Sequence, residues 1–258
     1  MKFAGLVEYD GTNFAGWAAQ PSLRTVEKTL ADALGIILRQ PVKLVVAGRT
    51  DAGVHALGQV VSFEAQTELA PSSISYKTSA VLPEDLALRR CIVVRESFDA
   101  RMDARSRTYE YRVVNDPIRS PLTRRWAVHL AKKLDFGLLT RAADFVQGVH
   151  DFRAFTPTKS YHVRFVRMVE ESSWEAYDGL FVYRITADSF LYGMVRTLVG
   201  TMLEVGGGKR TLADFERLLA GDERSAAGPA APAWGLTLVG VGYEDLDLGG
   251  STPWTVTL

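Results

Sequence analysis

The segment Gly48-Arg49-Thr50-Asp51-Ala52-Gly53-Val54-His55-Ala56-Leu57-Gly58 gathers small residues around a single acid. Glycine permits backbone conformations closed to other residues and lets a bulky ligand approach closely. A loop of this kind between two apolar runs reads as a site rather than a plain connection. Asp51 is the only carboxylate between Lys43 and Glu64, so any acid or nucleophile in this segment is Asp51. Arg49 and His55 could orient a phosphate or the aspartate. A second marked residue is Arg196, the one charge in the stretch from Phe190 to Leu203. A helix apolar nearly all round is a buried helix. A buried guanidinium calls for an anion, because breaking such a pair costs on the order of 3–5 kcal/mol. The natural candidate for that anion lies in the Asp51 loop.

Several chemistries drop out. Glycoside hydrolysis normally uses two carboxylates, and only one is marked. Gly206-Gly207-Gly208-Lys209-Arg210-Thr211 looks superficially like a phosphate loop, but it follows a helix, lacks the first glycine, and has Arg210 where Ser or Thr should hold magnesium. It reads as a helix C-terminus. One cysteine, Cys91, excludes an internal disulfide framework, and His55, His129, His150 and His162 supply no zinc spacing. We therefore expect no metal, no membrane span and a reducing cytoplasmic setting.

Charge points to a partner. The 258 residues carry 30 basic and 30 acidic side chains, a net charge of zero. Between residues 101 and 133, however, nine basic residues (Arg101, Arg105, Arg107, Arg112, Arg119, Arg124, Arg125, Lys132 and Lys133) face three acidic ones, interleaved with Tyr109, Tyr111 and Trp126. Basic residues mixed with aromatics grip phosphates and stack on bases.

The elements that must hold these residues follow from periodicity. Strands are expected at 2–9, 42–47, 59–63, 86–94, 108–114, 163–174, 180–186 and 237–242, with a turn at Tyr177-Asp178-Gly179. Helices are expected from Thr25, where Val26, Leu30, Leu34 and Ile37 recur before Pro41, and at 135–147, 189–205 and 212–219. Hairpins mixed with crossover helices indicate an α+β fold on a mixed, mostly antiparallel sheet with flanking helices. The polar stretch after Asp99 suggests a first lobe over residues 1–100, carrying the Asp51 loop, and a second over 101–258.

The loop Gly48-Arg49-Thr50-Asp51-Ala52-Gly53-Val54-His55 resembles the signature of the TruA family of tRNA pseudouridine synthases. Other segments agree in order: Tyr9-Asp10-Gly11 with Phe14-Ala15-Gly16-Trp17, Phe98-Asp99-Ala100-Arg101 with Arg107-Thr108-Tyr109-Glu110-Tyr111, His150-Asp151-Phe152, Met194-Val195-Arg196 with Glu204-Val205-Gly206, and Gly235-Leu236. The resemblance runs over about residues 5–243. It implies a two-lobed pseudouridine synthase fold, a homodimer, no cofactor, and conversion of uridine to pseudouridine in the tRNA anticodon stem-loop, about positions 38 to 40 in tRNA numbering. It implies Asp51 as the catalytic aspartate, Tyr109 as the active-site tyrosine, Arg196 as the arginine paired with that aspartate, and Arg49 as a tRNA-positioning arginine. His55, Arg105 and Arg112 are further candidates for substrate contact. Ala18, Asp99 and Thr197 depart from the family pattern. Two other classes share parts of these features: a non-catalytic RNA-binding protein and a carboxylate-dependent nucleoside hydrolase.

Overall fold

The structure, a computed structural model, describes residues 1–158, 163–246 and 248; His162 lies outside them. The chain divides into two compact units. One comprises residues 1–107 with the segment from Thr237 onward, the other residues 108–236. From the sequence the first lobe is expected over residues 1–100 and the last strand in the second lobe. That final strand instead folds with the first unit.

In the first unit, β1 (Lys2–Tyr9) lies between β3 (His55–Glu64) and β4 (Leu86–Val94) and runs antiparallel to both. Most of β1 is buried, as a central strand requires; Phe3, Ala4, Val7 and Tyr9 are enclosed and Phe3 stacks on Phe63. The two-residue β2 (Val45–Val46) pairs with β3, so the expected strand over 42–47 is reduced to its centre. The last strand of the chain, β10 (Leu236–Gly242), joins β3 in parallel through Thr237 opposite His55. Helix α1 (Val26–Leu38) buries Val26, Leu30, Ala33, Leu34 and Leu38, and ends where Arg39 turns left-handed at φ 55°. A helix the sequence reading missed, α2 (Pro71–Val81), starts with proline in its first turn, where its absent N–H costs nothing. Its buried residues are Ile74, Ser75 and Thr78, too polar to form an apolar stripe.

In the second unit the strands run in the order β5 (Ser106–Val114), β9 (Leu180–Ala187), β8 (Val166–Tyr177), β7 (Gly148–Asp151), and β6 (Val128–His129) pairs in parallel with β5. Strands β6 and β7 are too short to leave a period in the sequence. The expected turn joins β8 to β9, and Asp178 and Gly179 make it with positive φ. The core joins α3 (Phe136–Asp144) and α4 (Met194–Gly206) to the sheet: Trp174 packs on Tyr183, its indole N–H reaches Met202, and the Ser172 hydroxyl lies between Tyr183 and the Ala143 carbonyl. Both helices are shorter than their apolar patterns. Asp135 caps α3 from outside, and Gly193, left-handed at φ 68°, starts α4 five residues later than expected. The triple glycine does close α4, as expected, and α5 (Leu212–Leu218) follows, capped reciprocally by Thr211 and Asp214.

A strap of chain crosses α4 so closely that Gly200 has no room for a side chain; an added Cβ would overlap the Pro229 carbonyl. Gly200→Ala should therefore destabilise the fold by about 1–3 kcal/mol, the range for overpacking against unyielding atoms. Gly240→Ala, whose Cβ would meet nothing within 4 Å, should leave the urea midpoint nearly unchanged. Equal midpoints for the two variants would show that the strap yields.

Candidate active site

Asp51 sits half-exposed on a short loop, residues 48–54, because β3 begins already at His55. Backbone hydrogen bonds tie down several points of that loop. The Trp17 amide donates to the Thr50 carbonyl at 3.0 Å, Gly53 donates to the Phe14 carbonyl at 3.4 Å, and Val54 turns back onto the Asp51 carbonyl at 3.2 Å. Gly16, at φ +95°, lies so close to this loop that an added Cβ would stand 3.0 Å from the Thr50 carbonyl. The segments Tyr9-Asp10-Gly11 and Phe14-Ala15-Gly16-Trp17 thus form the wall against which the Asp51 loop is built.

Buried side chains complete the support. The Tyr9 hydroxyl meets Thr50 Oγ1 at 2.8 Å, and Gln59, fully buried, donates from Nε2 to the Gly48 carbonyl at 2.7 Å and to the Tyr9 oxygen at 3.4 Å. Burial pushes the Tyr9 phenol up to about 12, partly opposed by its hydrogen bonds to Thr50 and Gln59, so it remains a neutral partner. Trp17 and Phe14 pack on the Tyr9 ring. Neither Tyr9 nor Gln59 was marked as a site residue from the sequence. The signal was present for Gln59: it is the one amide in the strand run Gln59-Val60-Val61-Ser62-Phe63.

The remaining candidates fall into two groups. Arg49 is exposed beside Asp51. His55 is buried on β3: its Nδ1 lies 3.0 Å from the Gly11 amide and 3.1 Å from Asp10 Oδ1. By accepting from the Gly11 amide, His55 ties β3 to the 10–13 turn, which gives it an anchoring rather than a substrate-facing place. Arg105 is exposed and pairs with Glu244.

In the second unit, β5 alternates strictly. Tyr109, Tyr111 and Val113 are buried on one face and Thr108, Glu110, Arg112 and Val114 are only partly covered on the other. The Tyr109 ring meets Phe190 edge-on at 5.1 Å. Arg112 pairs with Glu110 at 2.5 Å, both side chains 13% exposed, and burial pushes its guanidinium down despite that partner. Arg184 also reaches Glu110, at 2.8 Å. Arg112 is thus committed to a sheet ion-pair cluster. Arg196 is half-buried rather than enclosed. Its Nε donates to the Ala231 carbonyl at 2.7 Å while its own carbonyl accepts from Ala231 N–H at 2.8 Å. Among the described residues no cluster of His, Cys, Asp and Glu could hold a metal ion, and no helix is long and apolar enough to cross a membrane.

The same segments that build the Asp51 loop also carry likeness to known proteins. A family model described as tRNA pseudouridine synthase matches residues 6–103 and 142–244. A protein of Acetivibrio thermocellus named tRNA pseudouridine synthase A is 39% identical over 238 residues, covering 92% of this chain and 98% of that relative. Its namesake in Moorella thermoacetica is 40% identical over 91% of this chain and 96% of its own length. In Shouchella clausii another protein of that name is 36% identical over 258 residues, 100% of this chain and 99% of the relative. Since the family match spans the loop, its supporting wall and the arginine helix alike, this chain belongs to the tRNA pseudouridine synthase family of isomerases.

Proposed function

We propose that the chain converts uridine to pseudouridine in the anticodon stem-loop of tRNA, with Asp51 as the catalytic group. The observation that carries this reading is the Asp51 loop itself: one carboxylate on a segment whose flanks are fixed by backbone and buried side-chain bonds. The reaction breaks the bond from C1′ to N1, turns the uracil, joins C1′ to C5, releases the C5 proton and leaves N1 to take up a proton. Substrate and product have the same composition and oxidation level, so the stoichiometry calls for no redox cofactor. An ionised Asp51 can attack C1′, attack C6, or remove a ribose proton, and each route needs its charge. In this reading Tyr109 stacks on the flipped base, and Arg196 is the arginine that pairs with the aspartate. A stem nucleotide must leave its stack to reach the carboxylate, at a cost of a few kcal/mol that phosphate contacts offset.

Phosphate contacts fall to the basic side chains left exposed. Arg49 stands next to Asp51, and Arg119, Arg124 and Lys133 are exposed in the second unit. Arg105 and Arg112 are held by Glu244 and Glu110, which leaves them a smaller share of the binding. The lone cysteine, buried Cys91, suits a cytoplasmic enzyme.

Asp51→Asn keeps shape but removes the charge. It should lower pseudouridine formation on the order of 10⁴-fold or more, with tRNA affinity within about threefold. The substrate is tRNA tritiated at uridine C5, incubated without cofactor. Release of tritium to water with no free uracil identifies the isomerase, free uracil a hydrolase, and neither product a binding protein. Wild-type turnover in Asp51→Asn would remove the aspartate from the mechanism.

Charge reversal at Arg119 and Arg124 should flatten the dependence of tRNA affinity on salt, since each lost phosphate contact removes about 0.7–0.9 from the logarithmic slope. Reversal at Arg217, which pairs with Asp214, should not; equal effects at both places would reject the assignment of the exposed basic residues. The active form in this reading is a homodimer. Sedimentation velocity at micromolar concentration should give the mass of two chains, and a single 28.4 kDa species would overturn it.

A further inference from the structure

Arg107 belongs to the basic run that charge counting assigns to RNA, yet it is only 8% exposed. Its guanidinium donates to three backbone carbonyls. Nε and Nη2 both donate to Ala47, at 3.3 and 2.8 Å, Nη2 also to Arg101 at 2.9 Å, and Nη1 to Ala104 at 3.1 Å. Ala47 immediately precedes the Gly48–Asp51 segment and is itself fixed on the other side, donating to the Val60 carbonyl at 2.9 Å. The other two carbonyls belong to a turn that Asp99 shapes. Asp99 Oδ1 accepts from the amides of Arg101 at 2.8 Å and Met102 at 2.9 Å, and Asp99 N–H donates to Asp103 at 2.9 Å. Only a planar fork of several donors can serve three carbonyls in different directions; the single ammonium of lysine cannot.

We propose that Arg107 is a positioning residue for Asp51. It clamps the Ala47 carbonyl to the 99–104 turn and thereby fixes the point from which the Asp51 loop departs. The inference rests on the catalytic reading of Asp51. A displacement of about 1 Å at a reacting group costs on the order of a hundredfold in rate, so an anchor four residues from the carboxylate acts on kcat and not on RNA affinity.

Two variants test this on the full-length enzyme with tRNA. Arg107→Lys keeps the charge and most of the stem; kcat should fall roughly 10- to 100-fold with KM little changed and the salt slope of tRNA binding unaltered. A direct phosphate contact would behave oppositely, losing slope by about 0.7–0.9 at unchanged kcat, and that result overturns the proposal. Asp99→Ala loosens the turn from a half-buried position and tests the same clamp should the lysine variant not fold, which a thermal melt reports. Its kcat should fall by a smaller factor with no change in slope. Wild-type kcat in a folded Arg107→Lys overturns the proposal, and so does wild-type kcat in Asp99→Ala where the lysine variant does not fold. Asp51→Asn measured alongside separates the two readings. If it is inactive while Arg107→Lys turns over normally, only the positioning role is lost; if it is active, the catalytic reading fails by itself.

Discussion

A carboxylate kept ready for chemistry is worth little on a loop that can relax away from the substrate. Here the constraint is a buried hydrogen-bond network, Tyr9 to Thr50 and Gln59 to Gly48, set into the central strands β1 and β3. Each bond contributes only about 0.5–1.5 kcal/mol net, but leaving one of these buried groups unpartnered costs the full desolvation penalty. These bonds anchor the loop to the core at Gly48 and Thr50, on the N-terminal side of Asp51. The requirement spreads outward. Gly16 must be glycine to let the 14–17 segment approach, Trp17 and Phe14 must seal Tyr9, and Arg24 in turn covers Phe14 while holding Asp85.

The same principle sorts the arginines. A guanidinium taken out of water must be met by acceptors in several directions, and this chain meets that demand in two ways. Arg107 uses carbonyls and Arg112 uses a carboxylate. Both lie on β5, one on each face, as the alternation of a strand dictates. Counting charges along the sequence treats them alike with Arg119 and Arg124, although only the latter pair remain in solvent.

The helix α4 presents a different solution. Its small residues, Gly200 and Thr201 among them, admit the strap of residues 228–232: the Thr201 hydroxyl accepts from the Gly228 amide, and Arg196 binds Ala231 through both its carbonyl and its side chain. The strap is held from the sheet side as well, where the Tyr111 hydroxyl donates to Pro232. A stretch rich in Gly, Pro and Ala, which composition marks only as a loop, thus orients the arginine that the proposed mechanism uses.

Elements with a clear period and residues of unusual chemistry are legible along the chain. Strand β1, helix α1, the β8–β9 hairpin, the capped end of α4, and the isolation of Asp51 among glycines are all local properties, readable because neighbouring residues decide them. Helix α2 left no period because two of its three buried positions are serine and threonine, and β6 and β7 because two to four residues hold none. No local pattern indicates that the last strand returns to pair with β3, that His55 faces Gly11 from inside the sheet, or that Arg107 turns inward while Arg119 stays in solvent. Those outcomes depend on partners tens of residues away, and a polar side chain is anchored or free according to which carbonyls and carboxylates the fold brings to it.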